Sequence, residues 1–213
     1  MLTIHHLGKS QSERILWLCE ELGIEYQLKI HDRDPVTNLS PPGLNAMHPM
    51  GTAPVITDGD LVLAESGAII DYIIAKYGAG RLARGPADPD FAQYLYWYHF
   101  ANASLQPVMG RNMILRRLNL PVDNPVLVST LGRLDRALGW VDKRLGESAF
   151  LAGKELTAAD IMAVFSLTTM RYFMPVELAP YPHILAYLQR IGAREAYQRA
   201  MRKGDPAMAL LLA

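Results

Sequence analysis

The chain has 213 residues, with 21 Lys+Arg balanced by 21 Asp+Glu, half of its residues hydrophobic, and a single cysteine. That length can bury one large core or two small ones, and the composition excludes both a disordered chain and an internal disulfide framework. No apolar run approaches the ~20 residues of a bilayer span, Met1-Leu2-Thr3-Ile4 carries no secretory pattern, and zero net charge argues against nucleic acid as the main partner, so the expectation is a soluble cytoplasmic protein without nucleic-acid or membrane partners.

Leu2 to His6 reads as a short strand. Ser12 to Leu22 reads as a helix, because Ile15, Leu16, Leu18, Cys19 and Leu22 share one face, and Gly23 stops it. Tyr26 to His31 is a second strand, so the first thirty residues form a βαβ unit with a parallel pair. A loop rich in Pro35, Pro41, Pro42, Gly43, Pro49 and Gly51 follows. Pro54–Thr57 and Leu61–Ala64 are strands joined by Asp58-Gly59-Asp60, a hairpin signal. Ser66 opens a helix with Ile69, Ile70, Ile73, Ile74 and Tyr77 on one face, ending before Gly78.

Composition changes near residue 80. Residues 1–80 carry 5 basic and 10 acidic side chains, and residues 81–213 carry 16 and 11. The division suggests two units: an α/β domain over 1–80, a linker over 81–89, and an all-α domain over 90–213. The helices expected in the latter are Asp90 to about Leu118, kinked near Pro107, then Pro125–Leu145, Thr157–Met170, Pro182–Ile191 and Arg194–Arg202.

Three places could carry chemistry. Ser10-Gln11-Ser12-Glu13-Arg14 joins the first strand to the first helix, where a hydroxyl sits near backbone N–H groups and the positive helix end; an N-cap would use the same serines. Pro54 begins a strand, and a cis bond there would turn the Ala53 N–H and C=O outward to an extended ligand. At Glu65-Ser66 a helix start pairs a carboxylate with a hydroxyl, enough to bind an amino-acid head group, although Ser66 as a simple N-cap explains it equally. Thr157-Ala158-Ala159-Asp160 reads as a capping box with aspartate at N3. Cys19 lies on an apolar stripe and reads as inert core. Histidines 5, 6, 31, 48, 99 and 183 show no metal-ligand spacing, so no metal is expected.

In their order and spacing these segments resemble the glutathione S-transferase family along nearly the whole chain. The resemblance rests on Ser10-Gln11-Ser12-Glu13-Arg14 running into Ile15–Gly23, on His48-Pro49-Met50-Gly51-Thr52-Ala53-Pro54-Val55-Ile56, on Leu63-Ala64-Glu65-Ser66-Gly67-Ala68-Ile69, and on Thr157-Ala158-Ala159-Asp160-Ile161. It implies a thioredoxin-like N-terminal domain that binds glutathione as co-substrate, a helical C-terminal domain completing an electrophile pocket, a homodimer, and a role in detoxification. Carried over by position, Ser10 is the catalytic residue, with Ser12 competing, in the manner of bacterial, serine-type, theta- and delta-like classes. Thr52, Ala53, Glu65 and Ser66 join Ser10 in glutathione binding: Ala53 before a cis Pro54 for the cysteinyl part, Glu65 and Ser66 for the γ-glutamyl head group. The sequence departs from the family at three places. His5-His6 stands where several classes have tyrosine, Thr52 where many have Lys or Gln, and His48 where Asn is common.

Conjugation requires a thiolate. Lowering a thiol pKa of about 8.5 by about two units takes roughly 2.7 kcal/mol. A hydroxyl donating to charged sulfur supplies ~1.5–3 kcal/mol and a helix N-terminus about 0.3–1 kcal/mol more. Ser10 thus serves as a donor rather than a nucleophile, and no histidine–aspartate relay is required. Met109, Arg111 and Met113 are candidates for the electrophile pocket. Conjugation to small hydrophobic electrophiles, glutathione-dependent peroxidase chemistry, and a non-catalytic glutathione-binding scaffold all remain open, with intact Ser10, Ala53-Pro54 and Glu65-Ser66 favouring an enzyme.

Overall fold

The structure, a computed structural model, describes residues 1–213 and divides into two compact units, Met1–Leu82 with Gly192–Ala209, and Ala83–Ile191 with Leu210–Ala213. The first holds strands β1 (Leu2–Leu7), β2 (Gln27–His31), β3 (Val55–Asp58) and β4 (Leu61–Ala64) in one sheet of order β2-β1-β3-β4. β1 and β2 are parallel, as the βαβ spacing requires, and β3 lies antiparallel to both β1 and β4. This mixed sheet with its helices is the thioredoxin-like domain expected from the sequence.

Helix α1 (Glu13–Leu22) ends where Gly23 takes a left-handed φ of 65° and returns its N–H to the Cys19 carbonyl. The expected stripe of Ile15, Leu16, Leu18, Cys19 and Leu22 is buried, but so are Arg14 and Trp17 on other faces. Trp17 is covered by α9 (Glu195–Gly204), the last helix in the chain. Trp17 meets Tyr197 edge-on at 5.1 Å, and Arg194 forks onto Glu21 at 2.6 and 2.8 Å. Segment 192–209 was expected with the helical half and instead packs in the first unit. Its apolar face is formed by Ala196, Tyr197, Ala200 and Met201, which need the wall that α1 offers.

Two smaller differences have local causes. The proline-rich loop contains a short helix, α2 (Pro42–Asn45), with proline at the position where a fixed φ and a missing N–H cost nothing. Ser66 is the first residue of α3 (Ser66–Lys76) rather than its N-cap; the cap position belongs to Glu65, whose side chain makes no capping bond.

The second unit is helical throughout: α4 (Phe91–Phe100), α5 (Gln106–Arg117), α6 (Pro125–Glu147), α7 (Ala158–Leu167) and α8 (Pro182–Gly192). The single helix expected over 90–118 is interrupted by a π-turn at Ala101–Leu105, where the Gln106 N–H reaches back to the Ala101 carbonyl. Pro107 explains it: its ring would collide with the carbonyl four residues back, and the wider turn relieves that collision. α7 stops at Leu167 and a 3₁₀ turn, Thr169–Tyr172, completes the span read as one helix. The capping box is present. Asp160 is wholly buried, accepting from the backbone N–H groups of Thr157 and Leu151 and from the Tyr187 hydroxyl.

Candidate active site

The register of the sheet gathers the sequence candidates at one end of it. β1 runs towards His6 and Leu7 and the Ser10 loop, β3 starts beside it just after Ala53-Pro54, and β4 ends at Ala64 before Glu65 and Ser66. Both α1 and α3 begin there, so two helix N-termini face the same region.

The two serines have different surroundings. Ser12 is fully buried at the head of α1. It does not cap the helix; its Oγ accepts the Leu7 N–H at 3.1 Å and lies 2.8 Å from His6 Nδ1. Ser10 retains 8% exposure, and its Oγ lies 2.7 Å from Ser12 Oγ while accepting the Ser12 N–H at 3.2 Å. Of the two serines, only Ser10 keeps any exposure.

Around Ser66 the structure adds residues that the sequence reading passed over. The buried Arg14 donates through one guanidinium nitrogen to Ser66 Oγ at 3.2 Å and to Gln11 Oε1 at 2.9 Å. Ser66 also faces Gln11 at 3.4 Å. A guanidinium between the Ser10 loop and the start of α3 ties together two segments 52 positions apart. Glu65, exposed beside it, adopts φ 73° and ψ 118°. A non-glycine residue held there is strained, and such strain persists where surrounding contacts or a ligand require that carboxylate in one place.

The Ala53–Pro54 peptide is cis. The Ala53 N–H and C=O take part in none of the turn and loop hydrogen bonds, and Ala53 is only half-buried. Thr52 is exposed next to it. His48 accepts the Met50 N–H on Nδ1 at 3.3 Å, a turn-forming contact.

Cys19 is fully buried, and burial first, then the Glu20 charge, pushes its thiol up to about 12. It contributes no nucleophile. A cavity of about 470 Å³ opens behind the Ser10 loop, lined by Gly8, Lys9, His31, Arg33, Asp205 and Met208 among others. No group of three or more potential ligands is placed to hold a metal ion, and no helix is long and apolar enough to cross a membrane.

The fold and this end of the sheet have known counterparts. Residues 10–76 match the glutathione S-transferase N-terminal domain and residues 100–195 the glutathione S-transferase C-terminal domain. Glutathione S-transferase 3 of Schizosaccharomyces pombe is 29% identical over 222 residues, covering 95% of this chain and 88% of its own. A probable glutathione S-transferase of Oryza sativa subsp. japonica is 30% identical over 213 residues, covering 93% and 95%. A glutathione S-transferase crystal structure from Actinobacillus pleuropneumoniae shares 33% identity at a TM-score of 0.88, covering 98% of this chain and 97% of that one. A theta class enzyme from Xanthomonas axonopodis pv. citri, solved with glutathione bound, shares 26% identity at a TM-score of 0.72, covering 93% and 96%. The chain therefore belongs to the glutathione S-transferase family, and the activity that goes with it is that of a glutathione transferase.

Proposed function

We propose that this enzyme conjugates glutathione to small hydrophobic electrophiles, with the thiolate held by the Ser10 hydroxyl. The observation that carries this reading is the difference between the serines: Ser12 is wholly buried, and Ser10, though largely buried, keeps a small exposure with its oxygen anchored by the Ser12 N–H. A hydroxyl fixed in that way loses little freedom on donating to sulfur, so most of its ~1.5–3 kcal/mol favours the charged form. The α1 N-terminus adds about 0.3–1 kcal/mol.

Glutathione, in this reading, lies along that end of the sheet as an extended peptide. Its cysteinyl backbone pairs with the Ala53 N–H and C=O, beside Thr52. Its γ-glutamyl carboxylate meets Ser66 at the start of α3, and its ammonium meets Glu65. Arg14 holds Ser66 from beneath, and the strained Glu65 backbone aims its carboxylate. The Xanthomonas relative binds glutathione on the same fold, which supports glutathione as the co-substrate here. A cytoplasmic homodimer acting in detoxification belongs to the same proposal, and sedimentation velocity checks the dimer.

Ser10→Ala tests the assignment. The bound thiol is expected to titrate one to two units higher, corresponding to about 1.4–2.7 kcal/mol, and kcat/KM at neutral pH to fall roughly ten- to hundredfold, with glutathione affinity within about twofold of wild type. Unchanged turnover and an unchanged thiol titration would remove Ser10 from the mechanism. A panel of halonitroaromatic, epoxide and organic hydroperoxide substrates separates conjugation from peroxidase chemistry.

A further inference from the structure

A continuous chain of hydrogen bonds runs inward from Ser10. Ser10 Oγ lies 2.7 Å from Ser12 Oγ, Ser12 Oγ lies 2.8 Å from His6 Nδ1, and His6 Nε2 lies 3.1 Å from Asp205 Oδ2. Asp205 follows α9 and is 199 positions from His6 in sequence, within the same compact unit. Its carboxylate also accepts the Lys9 N–H at 3.0 and 3.2 Å. Two glycines make room for the pair. A Cβ at Gly204 would stand 2.9 Å from His6 Nε2, and one at Gly8 would stand 3.0 Å from Asp205 Oδ1.

The polarity of the chain follows from its ends. Asp205 accepts, so Nε2 is a donor, and in the tautomer that leaves Nδ1 bare this nitrogen is an acceptor. Ser12 then donates to Nδ1 at 2.8 Å, nearer than its other acceptor, the Leu7 carbonyl at 3.3 Å, and accepts from Leu7 N–H and from the Ser10 hydroxyl. In that polarity Ser10 donates inward and, with one lone pair taken by the Ser12 N–H, has one left to accept. A thiol thus finds an acceptor at Ser10, and Ser10 becomes the thiolate's donor once the chain has reversed.

We propose that His6 takes the proton of the glutathione thiol through Ser10 and Ser12, with Asp205 orienting the imidazole. The inference rests on Ser10 as the group that meets the sulfur. The S–H bond breaks and sulfur keeps the electron pair. That proton bonds to Ser10 Oγ as the Ser10 proton passes to Ser12 Oγ and the Ser12 proton to Nδ1. Afterwards Ser10 donates to the thiolate, Ser12 donates to Ser10, and the imidazolium donates to Ser12 and to Asp205. Each hydroxyl makes one donated and two accepted bonds both before and after. The reverse transfer returns the proton once the thiolate has been consumed. His6 and Asp205 act through Ser10 and are positioning residues.

The charged groups around His6 come from three elements. Asp205 comes from the end of α9, His31 lies across on β2, and Arg33 beyond β2 feels the Asp205 charge. His5 and His31 bond each other at 3.1 Å rather than the serines, and burial holds both below the ordinary histidine range. His6 is the one histidine connected to Ser10.

Proton counting on the wild-type enzyme tests this. At about pH 8, where free imidazole is neutral, enzyme and glutathione are mixed in weak buffer with an indicator dye while ultraviolet absorbance reports thiolate. The relay keeps the proton, so thiolate is expected with well under half a proton released per site; about one proton released per thiolate overturns the proposal. His6→Asn retains an oxygen acceptor for Ser12 but cannot take the proton. It is expected to release about one proton per thiolate, to raise the bound thiol's titration by about one unit, and to lower kcat/KM roughly tenfold at neutral pH with recovery at high pH. Asp205→Asn is expected to move both readouts the same way and serves if the buried His6 variant does not fold. A pH-independent loss in a folded variant, with the thiol titration unmoved, overturns the relay. If Ser10→Ala shifts the titration and neither of these variants does, Ser10 stands and the relay falls; if Ser10→Ala does not shift it, the reading of Ser10 falls first.

Discussion

Ser10 and Ser12 are the same residue type two positions apart, and what separates them is the depth to which the loop carries each. Ser12 spends its hydroxyl on Leu7 and His6, and Ser10 leans on Ser12 from outside. The same loop had a second signal that the motif reading did not use. In a strand with period two, His6 shares a face with Leu2 and Ile4, and a polar side chain continuing that buried row requires partners. Cys19 shows the opposite case, a reactive residue type made inert by its place. With its thiol pushed up to about 12, the native protein is expected to give no measurable reaction with a thiol reagent at about pH 8. Unfolding in guanidinium is expected to reveal one reactive thiol per chain. Rapid labelling of native protein would mean that α1 does not shield Cys19 as described.

Elements carry the site through their ends. β1, β3 and β4 bring three loops to one end of the sheet, and the hairpin and βαβ spacing gave the strands and the mixed sheet from residues alone. What fixes α3 against the sheet was not foretold. Asp58, the last residue of β3, accepts from the Tyr72 hydroxyl at 2.7 Å, Lys76 Nζ at 2.8 Å and the Tyr77 hydroxyl at 2.5 Å. Hydrogen bonding from Lys76, then from the two tyrosines, holds its carboxyl well below the usual carboxylate range. A carboxyl depressed on folding stabilises the native state above its unfolded pKa of about 3.9, and that contribution fades as pH falls through the folded value. Asp58→Asn is therefore expected to lower Tm at pH 7, with the gap to wild type closing as pH drops beneath about 4. Thermal unfolding of both proteins across that range checks it; a gap independent of pH would assign the loss to something other than the carboxylate charge.

On the scale of the whole molecule, the charge split along the sequence is largely an effect of where the cut falls. Dividing at residue 80 separates 5 basic and 10 acidic residues from 16 and 11. Dividing by compact units gives the first 10 basic and 12 acidic residues, because its boundary takes in Arg81 and α9 with its flanks brings Arg194, Arg199, Arg202 and Lys203. Three of these meet acids on α1: Arg194 on Glu21, and Arg199 and Lys203 on Glu20. Such half-exposed pairs are each worth about 1 kcal/mol or less, so apolar packing holds α9. Burying Tyr197 and Met201 is worth about 3–6 kcal/mol, a large share of the ~5–15 kcal/mol that keeps a domain folded. A chain ending at Ile191 is expected to lose cooperative unfolding, to shift Trp17 emission to the red and to bind no glutathione matrix. A truncated chain with unchanged Tm and binding would show that α1 does not depend on α9.

The sequence by itself determined most of the elements, the mixed sheet and the family, and it marked the segments on which the glutathione site is proposed. These rest on local matters: apolar periodicity, glycine and proline at turns, and short motifs whose residues are neighbours. Tertiary structure decided which serine is sealed, why Arg14 is buried, how far around α1 is covered, and that His6 meets Asp205. Arg14 is held by Gln11 and Ser66, 52 positions away, and the cover on α1 and the meeting of His6 with Asp205 depend on α9 folding back onto α1 across some 175 residues of chain. Nothing in the local pattern of either segment specifies that contact, which forms because each helix leaves an apolar face that only the other covers.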